Sequence, residues 1–144
     1  MGADDRMDVP DVVDKLNRAL SLQYRSALMY ALAAGGGRGT HSLAIGEQLA
    51  VCGQAEYADV RLLISKIVAL GGEPTTEVAP PAYAPEVADA LSRLVETEEE
   101  TLAALHGVIP STGQEPRSEA LEHLLEHLIM RKQTQVDFLI RAQG

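Results

Sequence analysis

The sequence predicts an all-α protein, four helices packed as one bundle and running up-down-down-up. Three observations predict it. Ala and Leu dominate a chain with four Tyr, one Phe and no Trp, and these two residues form helices far more readily than strands. Apolar residues recur at three-and-four spacing in four separate stretches. One connection is long among short ones, as a bundle with a single crossover requires. With 144 residues, 46% of them hydrophobic, residues 1–144 are expected to form one domain with a substantial core.

The first helix is expected over about residues 10–34. Asp8 is placed to cap it, Pro10 is tolerated in its first turn, and Gly35-Gly36-Gly37 stops it. Its apolar stripe reads Val13, Leu16, Leu20, Ala27, Ala31 and Ala34. The second helix, about 42–70, turns Leu49, Cys52, Leu63, Ile67 and Leu70 inward and ends at Gly71-Gly72. The third, about 85–109, begins near Pro85, stops before Pro110, and turns Val87, Leu91, Leu94, Leu102, Leu105 and Ile109 inward. The fourth, about 116–142, follows Pro116 and offers Leu121, Leu124, Leu128 and Leu139.

The Gly-rich link GGGRGTH makes the first two helices antiparallel neighbours. The next link, GGEPTTEVAPPAYA, is rich in Pro and has no helical period. Extended, its fourteen or so residues reach about 46 Å at ~3.3 Å each. A second helix of this length spans about 43 Å at 1.5 Å per residue. The link can therefore run the length of the bundle and set the third helix parallel to the second.

A net charge of −9 repels phosphate, which argues against nucleic acid and anionic membrane as partners. The single cysteine, Cys52, allows no intrachain disulfide. A reducing, cytoplasmic setting is expected. The N-terminal Met-Gly-Ala-Asp-Asp-Arg is acidic and leads into no apolar export segment. No apolar run reaches the roughly 18–20 residues of a membrane span.

The register that selects the core also selects polar residues within it. Gln23 lies between Leu20 and Ala27, Glu56 and Asp59 lie between Cys52 and Leu63, and Glu98 lies between Leu94 and Leu102. Lys132 and Gln135 interrupt the step from Leu128 to Leu139. Buried polar and ionisable groups are costly unless paired or metal-bound, so six polar residues, four of them ionisable, at matching depth on four helices imply a site. An ion-pair network fixing helix register and a metal centre both fit.

The segments LNRALSLQYRSALMY and AEYADVRLLISKIVALGGEP resemble the first two helices of bacterioferritins and related ferritin-like proteins, and LSRLVETEEETLAALHGVI and MRKQTQVDFL continue the likeness. The resemblance implies the ferritin-like bundle. It also implies a di-iron position built from a Glu on the first helix, Glu-x-x-His on the second, a Glu on the third and Glu-x-x-His on the fourth. Carried over, Gln23 stands at the first-helix position, Glu56 is kept with Asp59 where His is usual, and Glu98 is kept. On the fourth helix Lys132 replaces the Glu and Gln135 the His. The family's tyrosine two turns after its first ligand is Tyr30, expected to hydrogen-bond Glu98.

This set reads as a degenerate di-iron site. Iron pairs use bridging carboxylates and imidazoles, whereas an ammonium binds metal only after losing its proton. Lys132, with Glu56, Asp59 and Glu98 around it, is suited to replace a cation. The leading expectation is a non-catalytic bundle with no metal or other cofactor. The alternative is an iron-handling or metal-binding oxidoreductase in which Glu56, Asp59 and Glu98 hold iron or another divalent metal. A third reading, similar to the metal-free branch of ribonucleotide reductase small subunits, is a lysine-containing redox site near Tyr30 or Tyr57. The family's haem-binding Met is replaced by Tyr57, so no haem is expected, and Met29 and Met130 are read as core fillers.

Of Glu96, Glu98, Glu99 and Glu100 only Glu98 points inward. Cys52 reads as a small buried apolar residue. The HxxEH string at His123–His127 lacks the downstream ligand of a zinc peptidase and reads as a solvated face. No counterpart is expected of the fifth helix that lines the channel of cage-forming ferritins. A homodimer through the outer faces of the first two helices is expected instead.

Overall fold

A computed structural model describes residues 6–143, so the acidic N-terminal stretch through Asp5 and the terminal Gly144 lie outside it. Four long helices account for most of it: α1 (Val9–Gly36), α2 (Thr40–Ala69), α3 (Val87–Val108) and α4 (Ser118–Gln143). Among the described residues there is no strand, and Arg38 and Glu86 form an isolated bridge. No helix there is long and apolar enough to cross a membrane. The Asp8 carboxylate caps α1 by accepting from the Asp11 amide at 3.2 Å. Pro85 and Pro110 fall outside α3, and Pro110 sits in a short 3₁₀ turn, Ile109–Ser111, where its missing N–H does no harm.

The crossover lies along α1 from end to end. Gly72 packs against Val13, where a Cβ would lie 2.6 Å from a valine methyl. Asn17 donates to the Glu73 carbonyl at 3.0 Å and accepts from the Thr75 amide at 2.7 Å. Tyr24 donates to the Thr75 carbonyl at 2.9 Å, and Tyr83 to the Gly36 carbonyl at 2.6 Å. The chain thus enters α3 at the far end of the bundle, which gives the up-down-down-up order. α1 packs on α2 and α3, and α3 on α4, while α2 and α4 are the adjacent pair that touches least.

The core divides in two. One cluster contains Val12, Leu16, Leu20, Leu63, Ile67, Leu105, Leu121 and Leu125. The other contains Met29, Tyr30, Leu49, Leu91, Leu94 and Leu139. The inward stripe of α1 differs from the expected one at its start, where Val12 holds the core position and Val13 is half-buried, and again beyond Gln23. Ser26, Met29, Tyr30 and Ala33 are buried, whereas Ala27 and Ala34 are half-buried and Ala31 is exposed. The three alanines form a parallel stripe displaced by about 100° around the helix, on the side that meets α2. Leu70, Cys52, Val87, Ile109 and Leu124 are also only half-buried, and Leu125 takes the core position beside Leu124. Met130 is no core filler, being 70% exposed.

Candidate functional site: a buried layer of lysine, arginine and carboxylates

Between the two apolar clusters lies a polar layer to which all four helices contribute. Gln23 comes from α1, Glu56 and Asp59 from α2, Glu98 from α3, and Lys132 and Gln135 from α4, each less than a tenth exposed. The three- and four-residue spacings that continue the apolar stripes bring them to one level. All six residues selected from the sequence therefore converge.

Lys132 is the centre of the layer. Its Nζ donates to Glu56 Oε1 at 2.7 Å, to Glu56 Oε2 at 2.9 Å and to Glu98 Oε1 at 2.9 Å. Gln23 Nε2 donates to Glu56 Oε2 at 2.8 Å and to the Glu56 carbonyl at 3.0 Å. Tyr30 donates its hydroxyl proton to Glu98 Oε2 at 3.2 Å and accepts from Gln135 Nε2 at 3.1 Å. The expected Tyr30–Glu98 contact is present.

Arg131 completes the layer, and the sequence reading missed it. Its guanidinium donates from Nε to Asp59 Oδ2 at 2.8 Å, from Nη2 to Glu56 Oε2 at 2.6 Å and from Nη1 to Gln135 Oε1 at 2.6 Å. Nη2 also contacts Asp59 Oδ2. One signal could have revealed it. Three buried carboxylates against Lys132 alone leave two uncompensated charges, and the cation next along the chain is Arg131.

Electrostatics separates the carboxylates. Burial opposes the ionisation of Glu56, but Lys132, the hydrogen bond with Glu98 and Arg131 outweigh it and hold Glu56 down at about 2. Burial acts on Glu98 as well, and the neighbouring Glu56 carboxylate adds to it against the pull of Lys132, so Glu98 is pushed up to about 8. Asp59 is raised by burial against the opposing pull of Arg131. Burial weighs against the Arg131 charge, yet Glu56 and Asp59 raise its pKa on balance. The buried Tyr30 phenol is also raised, first by desolvation and then by Glu98 and Glu56.

The remaining candidates lie elsewhere. Glu96, Glu99 and Glu100 are exposed, as are His123 and His127, and His123 faces Glu119 at 3.5 Å. Tyr57 is 65% exposed on the outer side of α2. Cys52 is half-buried, and desolvation raises its thiol to about 11. Among the described residues no three His, Cys, Asp or Glu side chains form a metal-holding group. Lys132 bridges Glu56 to Glu98, and Arg131 bridges Glu56 to Asp59.

Comparison with known proteins agrees with this architecture. A ferritin-like diiron-carboxylate protein from Bacillus anthracis superposes with a TM-score of 0.88 at 23% identity, covering 100% of both chains. The dodecameric thioferritin of Bacteroides fragilis gives 0.84 at 16% identity, over 95% of this chain and 86% of that one. A mycobacterial bacterioferritin gives 0.82 at 20% identity, over 92% and 82%. At these identities the likeness shows the fold. No curated protein matches the sequence. The family profile described as the ferritin-like domain matches residues 13–141. The chain therefore belongs to the ferritin-like family.

Proposed function

We propose that this protein is a ferritin-like bundle without ferroxidase chemistry, whose di-iron position is filled by its own cations. The observation that carries the reading is Lys132 Nζ, fully buried and 2.7–2.9 Å from carboxylate oxygens of Glu56 and Glu98. The donor set does not fit an iron pair. It contains no imidazole, and the amide donors of Gln23 and Gln135 already serve Glu56 and Tyr30. A protonated ammonium has no lone pair to offer a metal. No redox step is assigned to the site, and its role is to tie four helices together at one level.

The outer faces of α1 and α2 support pairing with a second copy. Ala27, Ala31, Ala34, Ala50 and Gly53 line an open, mostly apolar groove there with Leu28 and Tyr57. Leu28 is 45% and Tyr57 65% exposed. Unpartnered apolar surface of this kind marks association sites. Tyr57 also lacks the thioether that the family resemblance assigns to haem binding, so haem is not proposed. The single half-buried thiol is compatible with a reducing cytoplasm.

The test is to add Fe(II) anaerobically, desalt, count metal per chain, then follow oxidation on admitting dioxygen. Near-zero occupancy and no oxidation above buffer are expected. Two irons per chain, or saturable oxidation, would overturn the proposal in favour of an iron-handling oxidoreductase.

A further inference from the structure

We infer that Arg131 keeps hard divalent cations out of the site by filling, from the solvent side, the place such a cation would take between Glu56, Asp59 and Gln135. The inference rests on the reading that the protein's own cations fill the layer, and it gives the two cations different tasks. Lys132 is fully buried, whereas the Arg131 side chain keeps 21% of its surface exposed. Arg131 crosses between α2 and α4, the neighbouring helices that approach least. It is the solvent-facing member of the layer.

Its guanidinium gathers Glu56 Oε2, Asp59 Oδ2 and Gln135 Oε1, all within 2.8 Å of its nitrogens. Two carboxylates and an amide carbonyl, with water completing the shell, form a donor set suited to Mg²⁺, Mn²⁺ or Ca²⁺. Imidazole and thiolate, which suit softer metals, are absent from it. The charge count agrees. Glu56 and Asp59 face the two protein cations, and without Arg131 only Lys132 remains, which leaves an uncompensated negative charge between Glu56 and Asp59 for a cation to offset. Lys132 would keep its contacts with Glu56 Oε1 and Glu98 Oε1, which Arg131 does not touch.

The experiment titrates Mn²⁺ alone into the full-length protein, reading the free-ion EPR signal and the metal retained after desalting. The wild type and Arg131→Lys, which keeps the positive charge, should retain less than about 0.1 Mn²⁺ per chain. Arg131→Met should retain about one, and Arg131→Met with Asp59→Asn should lose it again. If Arg131→Met is poorly folded alone, added Mn²⁺ should raise its melting midpoint while leaving that of the wild type unmoved, because binding to the native state stabilises it. An Arg131→Met protein that neither retains Mn²⁺ nor is stabilised by it would overturn the inference and leave the lysine network standing. Retention by Arg131→Lys would also overturn it, since charge would then not be the barrier. Stoichiometric Mn²⁺ in the wild type would instead sink the underlying reading of a site filled by protein cations.

Discussion

Each of the three hydrogens on the Lys132 ammonium has a carboxylate oxygen within 2.9 Å, so this buried charge is fully satisfied. Removing it takes the ammonium from between Glu56 and Glu98, leaving Glu56 paired with Arg131 alone and both buried carboxyl groups short of a donor. Lys132→Ala should therefore cost about 3–5 kcal/mol, read as a lower midpoint in chemical denaturation, and an unchanged midpoint would contradict the network. The carboxylates also give the protein a pH dependence with two opposing limbs. Glu98 is raised in the folded state from 4.5 to about 8, so the fold binds its proton more tightly than the unfolded chain does. Its contribution is full below about pH 4.5 and is lost as the pH rises towards 8. Glu56, lowered from 4.5 to about 2, contributes fully above pH 4.5 and loses its contribution as the pH falls towards 2. Denaturation midpoints should accordingly fall between pH 5 and 8.5 in the wild type, and Glu98→Gln should flatten that limb. A Glu98→Gln protein with the wild-type slope would show that another group carries it.

At the scale of helices and links, α1 is the element on which the rest is assembled. It packs on α2 and α3 and carries the crossover along its outer side through Asn17, Tyr24 and Gly36. Asn17 holds the start of that link by two hydrogen bonds, to Glu73 and from Thr75. Asn17→Ala should cost about 1–2 kcal/mol and speed hydrogen exchange at the Thr75 amide, which loses its acceptor. Unchanged exchange there would mean that the tether is not formed in solution. The helices and their order were legible in the sequence because most Leu and Ile at helical spacing fall on the buried stripe, with Leu70, Val87, Ile109 and Leu124 at its edge. Alanine marks it less clearly. Ala27, Ala31 and Ala34 repeat at helical spacing but lie on the flank facing the α1–α2 groove, while Ser26 and Tyr30 occupy the core beside them. Met130 misled for a similar reason, being apolar but off the register set by Leu121, Leu125 and Leu128. Arg131 was hidden by its reach. Its backbone sits one position before the buried face, and only its long side chain brings the guanidinium back to Asp59 and Glu56.

Across the whole molecule, two apolar clusters hold a charged layer between them, in a chain of net charge −9. The polar layer was legible as six positions because its members continue the core register, whereas the balance of its charges depends on side-chain geometry that spacing does not encode. The proposed pairing belongs to this scale too. Leu28→Glu places a charge in the α1–α2 groove, outside the buried polar layer, and should convert a dimer to a monomer in light scattering after size exclusion while leaving helicity unchanged. A wild type that is already monomeric at tens of micromolar would contradict the pairing. The central claim is that protein cations stand where the family resemblance implies an iron pair. It is tested most directly by anomalous diffraction at the iron edge from crystals soaked anaerobically in Fe(II). The account predicts no anomalous peak between Glu56 and Glu98, with Lys132 Nζ in hydrogen-bond contact with both. Two strong peaks within that layer, with Lys132 turned away, would contradict it.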